Sequence, residues 1–148
     1  MASWIEQNIE QPILLVENNQ DDILLILRAF QRAGVTRRIQ VVTSGMDAVD
    51  YLQGKPPYGD REKYPLPAMV LLDIKMPGMD GFEVLAWMRQ QWEFFQLSVV
   101  MLTNSDHIRD VNEAYHLGAN SFLVKPLDFE NAGELARSLD VVLAKEKH

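Results

Sequence analysis

Short, wholly apolar runs alternate with longer segments whose apolar residues recur every three or four positions, from one end of this chain to the other. PILLVE (Pro12 to Glu17) predicts a strand. A helix follows from about Asp21 to Ala33, with Ile23, Ile26, Leu27, Phe30 and Ala33 on one face. Gly34 then stands where a glycine closes a helix. RIQVVT predicts a second strand and GMDAVDYLQG a short helix ended by Gly54. AMVLLD is the third strand, GFEVLAWMRQQ the third helix, and LSVVMLT the fourth strand. DHIRDVNEAYHLG, SFLVK and a helix from roughly Phe129 to Ala144 complete the series.

Five strands alternating with five helices predict an α/β sheet built from right-handed crossovers. Val70 to Leu72 and Val99 to Leu102 are apolar at every position, which predicts a parallel sheet with helices on both faces. The one irregular stretch, KPPYGDREKYPLP, holds four of the seven prolines. It reads as a stiff surface connection, with a partner-binding loop as the alternative.

Composition narrows the function. A chain of 148 residues with 47% hydrophobic content forms one domain with a real core. Residues 1–11 read as an N-terminal extension and 12–148 as the domain, with no output domain after it, because LAKEKH closes the chain soon after the fifth helix. There is no cysteine, which excludes disulfides, thiolate metal sites and cysteine nucleophiles. A net charge of -7 argues against nucleic acid as a partner. The start of the chain, MASWIEQNIEQP, has neither a basic nor an apolar targeting region, and no run is long enough to cross a bilayer, so the expected setting is cytoplasmic.

In an open parallel sheet, ligands sit beyond the carboxyl ends of the strands. There the first strand carries Glu17 and Asn18, the third Asp73, the fourth Thr103 and Asn104, and the fifth Lys125; only Thr43 and Ser44 of the second are bland. Taken singly, each has a structural explanation. Glu17 and Asn18 could cap a helix, Asp73 could open the turn at Pro77-Gly78, and Lys125 could be a surface lysine. Together they form a set with a chemistry. Two carboxylates 4 Å apart repel by roughly 4 kcal/mol at an effective dielectric of about 20. A hard divalent cation relieves that repulsion, and Mg²⁺ is the natural occupant of an all-oxygen site. A carboxylate can also attack phosphorus, with the metal, an ammonium and a hydroxyl holding the phosphoryl oxygens.

The strings ILLVEN, LLDIKMPGMDGFEVL, VVMLTNS and LGANSFLVKPLD together resemble the response regulator receiver domain of two-component signalling, over about Pro12 to Ala144. The proline-rich loop and the close of the chain further resemble single-domain regulators that work with phytochrome-type histidine kinases. The resemblance implies a doubly wound, flavodoxin-like sheet of strand order 2-1-3-4-5. It also implies that Asp73 is the phosphoacceptor, that Glu17, Asn18, Asp73 and the Lys75 carbonyl attend a Mg²⁺ ion, and that Thr103 and Lys125 stabilise the phosphoryl group. Phe122 takes the switch position with Thr103, and the Lys125-Pro126 bond is expected to be cis. The implied partners are a histidine kinase and an unidentified downstream protein, with the chain itself a phosphoacceptor rather than an enzyme.

One position departs from the family pattern. Its second acidic metal ligand is Asn18 here, which leaves two carboxylates and predicts weakened Mg²⁺ affinity. Asp21 or Asp22 could compensate, although acids there also serve the helix dipole. The substitution keeps a second reading open, a pseudo-receiver that docks without phosphate. A phosphatase fits poorly, because such enzymes need a second acid where Lys75 stands. Nucleotide binding fits worse, because no GxxxxGK or GxGxxG string occurs. His107 and His116 read as surface residues. WMRQQWEFF reads as partly buried, with homodimerisation or kinase docking if an exposed face contains some of its rings.

Overall fold

The computed structural model describes residues 11–104 and 108–146, and for 108, 129 and 140–146 the backbone alone. The strands are β1 (Ile13–Val16), β2 (Ile39–Val42), β3 (Met69–Asp73), β4 (Ser98–Thr103) and β5 (Ser121–Val124). The helices are α1 (Gln20–Arg32), α2 (Gly45–Gln53), α3 (Gly81–Gln90), α4 (Ile108–His116) and α5 (Phe129–Glu146). All strand pairs are parallel, in the order β2-β1-β3-β4-β5, the order the resemblance implied. The expected extension at 1–11 lies outside the described residues except for Gln11, as do Ser105 and His107.

Alternation within the strands explains why helices cover both faces. Leu14, Val16, Val70, Leu72, Val99 and Met101 point into a core with Ala48 and Leu52 of α2, Val84, Leu85 and Met88 of α3, and Ala114 of α4. Ile13, Leu15, Met69, Leu71, Val100 and Leu102 point the other way, onto Ile23, Ile26 and Phe30 of α1 and Ala132 and Leu139 of α5. A strand buried on both sides cannot show a period of two in its sequence, hence the unbroken apolar runs.

Helix ends follow local chemistry. Asn19 caps α1 by accepting the Asp22 amide at 3.0 Å, so neither Glu17 nor Asn18 is the cap. Ser44, bland in the sequence, caps α2 by accepting the Asp47 amide. Asp80 and Glu83 form a reciprocal capping box at the start of α3.

The proline-rich segment 55–67 is pinned. Arg61 donates to the carbonyls of Tyr51 and Leu52 at the end of α2 and to that of Tyr64, at 2.9 to 3.1 Å. The rings of Tyr51, Tyr58 and Tyr64 lie 5.1 to 6.0 Å apart, and the Tyr51 hydroxyl donates to Pro65. Burial pushes that phenol up to about 12. The Trp and Phe residues after α3 divide. Phe94 is buried with Trp87 against it, whereas Trp92 is 87% exposed and stacks on Phe95 at 5.6 Å.

Candidate functional site at the carboxyl edge of the sheet

Register assembles the site. Val16 pairs with Leu72, so Glu17 and Asp73 stand side by side where strand order reverses. Asp73 pairs with Leu102, which places Thr103 one step further along β4. Thr103 pairs with Val124, which places Lys125 one step beyond β5. The Lys125 amide donates to the Thr103 carbonyl at 2.6 Å, and the Lys125-Pro126 bond is cis.

The loop after β3 folds back tightly. Gly78 has φ +73° in its turn, and the Gly81 amide donates to the Ile74 carbonyl at 2.9 Å. A Cβ at Gly81 would stand 2.2 Å from the Asp73 carbonyl oxygen. The second glycine of KMPGMDG thus lets the start of α3 lie against the backbone of Asp73, a role its sequence position did not disclose.

Glu17, Asp73 and Thr103 are buried polar residues. Lys125, whose side chain is 5% exposed, places its ammonium 2.8 Å from Glu17 Oε2, 2.8 Å from Asp22 Oδ2 and 3.5 Å from Asp73 Oδ1. The other Glu17 oxygen accepts the Asn19 amide at 3.1 Å. Burial first, and then the Glu17 charge beside it, push the Asp73 carboxyl up to about 7, while Lys125 and the Lys75 amide pull the other way. Burial opposes the charge of Lys125. Its hydrogen bonds to Asp22 and Glu17, with the charges of Asp73 and Glu17, outweigh that and hold its pKa above the ordinary lysine value.

The other candidates sit around this centre. Asn18, Lys75 and Asn104 are exposed. Phe122 is half-buried, pairs with Met101 across β4 and β5, and packs against the core formed with α2, α3 and α4. His116 is exposed at the end of α4. Asp22 has a contact that sequence reasoning did not name. It does lie in the first turn of α1, but its carboxylate also reaches a lysine 103 positions away.

The donor set fits a hard cation. Two buried carboxylates share one ammonium, and the Asp73 pKa is raised by burial first and by the Glu17 charge second. Among the described residues no group of three or more His, Cys, Asp or Glu is placed to hold a metal. A hard cation also accepts neutral oxygens, and the Asn18 amide and the Lys75 carbonyl are candidates beside the two carboxylates.

Comparison with known proteins agrees with the geometry. The family model of the response regulator receiver domain matches residues 13–137. The probable methanogenesis regulatory protein FilR2 of Methanothrix harundinacea is 43% identical over 119 residues, covering 80% of this chain and 74% of its own. Response regulator Rcp1 of Synechocystis is 30% identical, covering 91% of this chain and 90% of its own. Its Mn²⁺-bound crystal structure superposes with a TM-score of 0.71 at 29% identity, over 88% of this chain and 91% of that one. Response regulator RPA3017, from red light signalling in R. palustris, superposes with a TM-score of 0.76 at 36% identity, over 86% and 90% of the two chains. Among the described residues no helix is long and apolar enough to cross a membrane.

Proposed function

This chain belongs to the response regulator receiver domain family, and from that premise we propose that Asp73 accepts a phosphoryl group from a phosphohistidine of a partner kinase. The observation that carries the reading is Asp73 itself, a buried carboxylate at a strand end with a lysine ammonium at 3.5 Å.

An Asp73 oxygen attacks phosphorus, the phosphorus–nitrogen bond breaks, and the electron pair returns to the imidazole, which leaves; the product is an aspartyl phosphate. Asp73 must be ionised to attack, and its raised pKa makes that the first requirement. Glu17, Asn18, Asp73 and the Lys75 carbonyl are the residues that would hold Mg²⁺. When bound, the ion neutralises the carboxylates and the phosphoryl oxygens. Lys125 pairs with the added charge and the Thr103 hydroxyl donates to a phosphoryl oxygen. The roughly two negative charges gained then bias Thr103 and Phe122 between two arrangements. The chain in this way assists its own phosphorylation and hydrolysis without being an enzyme in the ordinary sense. Similarity to RPA3017, which acts in red light signalling, supports a phytochrome-type kinase as the donor, and the signal then passes to a downstream protein by contact.

The test is Mg²⁺-dependent gain of one phosphoryl group from acetyl phosphate, read by intact mass and abolished by Asp73→Asn. No gain at saturating Mg²⁺ rejects the reading. Asn18, together with the ammonium already neutralising Glu17, favours a second one, the phosphate-independent docking module. Asn18→Asp separates the two. If that change creates labelling where the native chain has none, the docking module stands.

A further inference from the structure

Glu17 has both oxygens engaged, one by the Asn19 amide and one by Lys125. Any cation that approaches Glu17 and Asp73 therefore meets an ammonium already seated between them. Lys125 is held from three sides, and the three carboxylates differ. Glu17 and Asp73 are interior, whereas the Asp22 side chain is 26% exposed and stands at the rim. Asp22 is also fixed from behind, because its own amide is the one that Asn19 caps.

We propose that Asp22 is a positioning residue: it gives the Lys125 ammonium a partner at the rim, so that the lysine can release Glu17 and Asp73 when a divalent cation arrives. The inference rests on the reading of those two carboxylates as metal-binding. With Glu17 and Asp73 as its only partners, Lys125 would compete directly with the ion for the same oxygens. Asp22 gives it a third partner at 2.8 Å, nearer than Asp73 at 3.5 Å, on the solvent side of the cluster. The lysine can then yield Glu17 without losing all its charge compensation. Asn18 brings no charge to the ion, so the basin depends on Asp22 for its third carboxylate, which acts through the lysine.

Asp21 supplies the control. It lies in the same first turn of α1 and is exposed. A helix-dipole or general charge effect would make Asp21 and Asp22 equivalent. The experiment measures the affinity of the full chain for Mg²⁺ alone by isothermal titration calorimetry, with far-UV circular dichroism to confirm folding. Asp22→Asn is expected to weaken binding about tenfold, the scale of losing a group that orients a metal site. Asp22→Ser should do the same, Asp22→Glu should recover most of the loss, and Asp21→Asn should stay within twofold. An Asp22→Asn affinity within twofold of wild type, or an equal loss in Asp21→Asn, overturns the proposal. Wild-type protein that binds Mg²⁺ but takes up no phosphoryl group overturns only the phosphoacceptor reading.

Discussion

Lys125 and Glu17 form a 2.8 Å ion pair across 108 positions of sequence, with both side chains almost wholly out of water. Such a pair is hard to dismantle from one side only, because the surviving charge is left buried and unpaired. Lys125→Met is therefore expected to cost about 3 kcal/mol in metal-free protein at neutral pH. The cost should shrink in acid, where the carboxylates take up protons. Urea denaturation in the presence of a chelator measures both.

The pH dependence of Asp73 has a definite sign. Its folded carboxyl titrates near 7, above the ordinary aspartate value. Between roughly pH 4 and 7 the unfolded chain has therefore already lost a proton that the folded chain retains. The contribution of Asp73 to stability is largest below pH 4 and falls until about pH 7. Asp73→Asn should remove that slope and leave metal-free protein more stable than wild type at pH 8, by on the order of 2 kcal/mol. Thermal melts at pH 5 and pH 8 give the comparison, and equal gains at both would contradict it.

A methyl group at residue 81 has nowhere to go. Its neighbour at 2.2 Å is backbone, the carbonyl of Asp73, and not a side chain that can swing aside. Gly81→Ala should destabilise the fold by about 2 kcal/mol or more through strain and displacement of that backbone. Mg²⁺ affinity should fall as well. Denaturation and metal titration on one sample show whether the two losses accompany each other.

The aromatic residues after α3 give a clean contrast. Phe94→Ala empties a core position and should cost about 3 kcal/mol. Trp92→Ala removes an exposed ring and should stay within about 0.5 kcal/mol of wild type. Paired denaturation midpoints suffice.

Much of this architecture was legible because the three central strands, β1, β3 and β4, are buried on both faces. Val70 to Leu72 and Val99 to Leu102 have no polar residue to blur their limits, and Gly34 and Gly54 mark the helix ends beside them. The convergence of Glu17, Asp73, Thr103 and Lys125 could be read once parallel strands were inferred, since parallel strands all end at one edge. Two features of the site could not. The reach of Asp22 to Lys125 depends on side-chain direction across a gap of 103 residues, which no local pattern encodes. The closeness of Gly81 to Asp73 depends on how the loop returns, and a glycine after Asp80 looks the same whether it faces solvent or a carbonyl. WMRQQWEFF held both outcomes at once, because helical spacing was lost at Gln91, where α3 stops.

Arg61 makes the crossing from α2 to β3 a braced span. Its guanidinium ties the end of α2 to Tyr64, so the span is anchored well before the sheet resumes at Met69. Lys63 is exposed on this span and precedes Tyr64, so it invites trypsin by composition, whereas the exposed Lys55 is shielded by Pro56 after it. Cleavage needs an extended, locally unfolded substrate, and unfolding here would break three hydrogen bonds and part three phenols packed edge-on and tilted against one another. Native protein should thus be nicked slowly after Lys63, and Arg61→Ala should turn that same bond into an early cut.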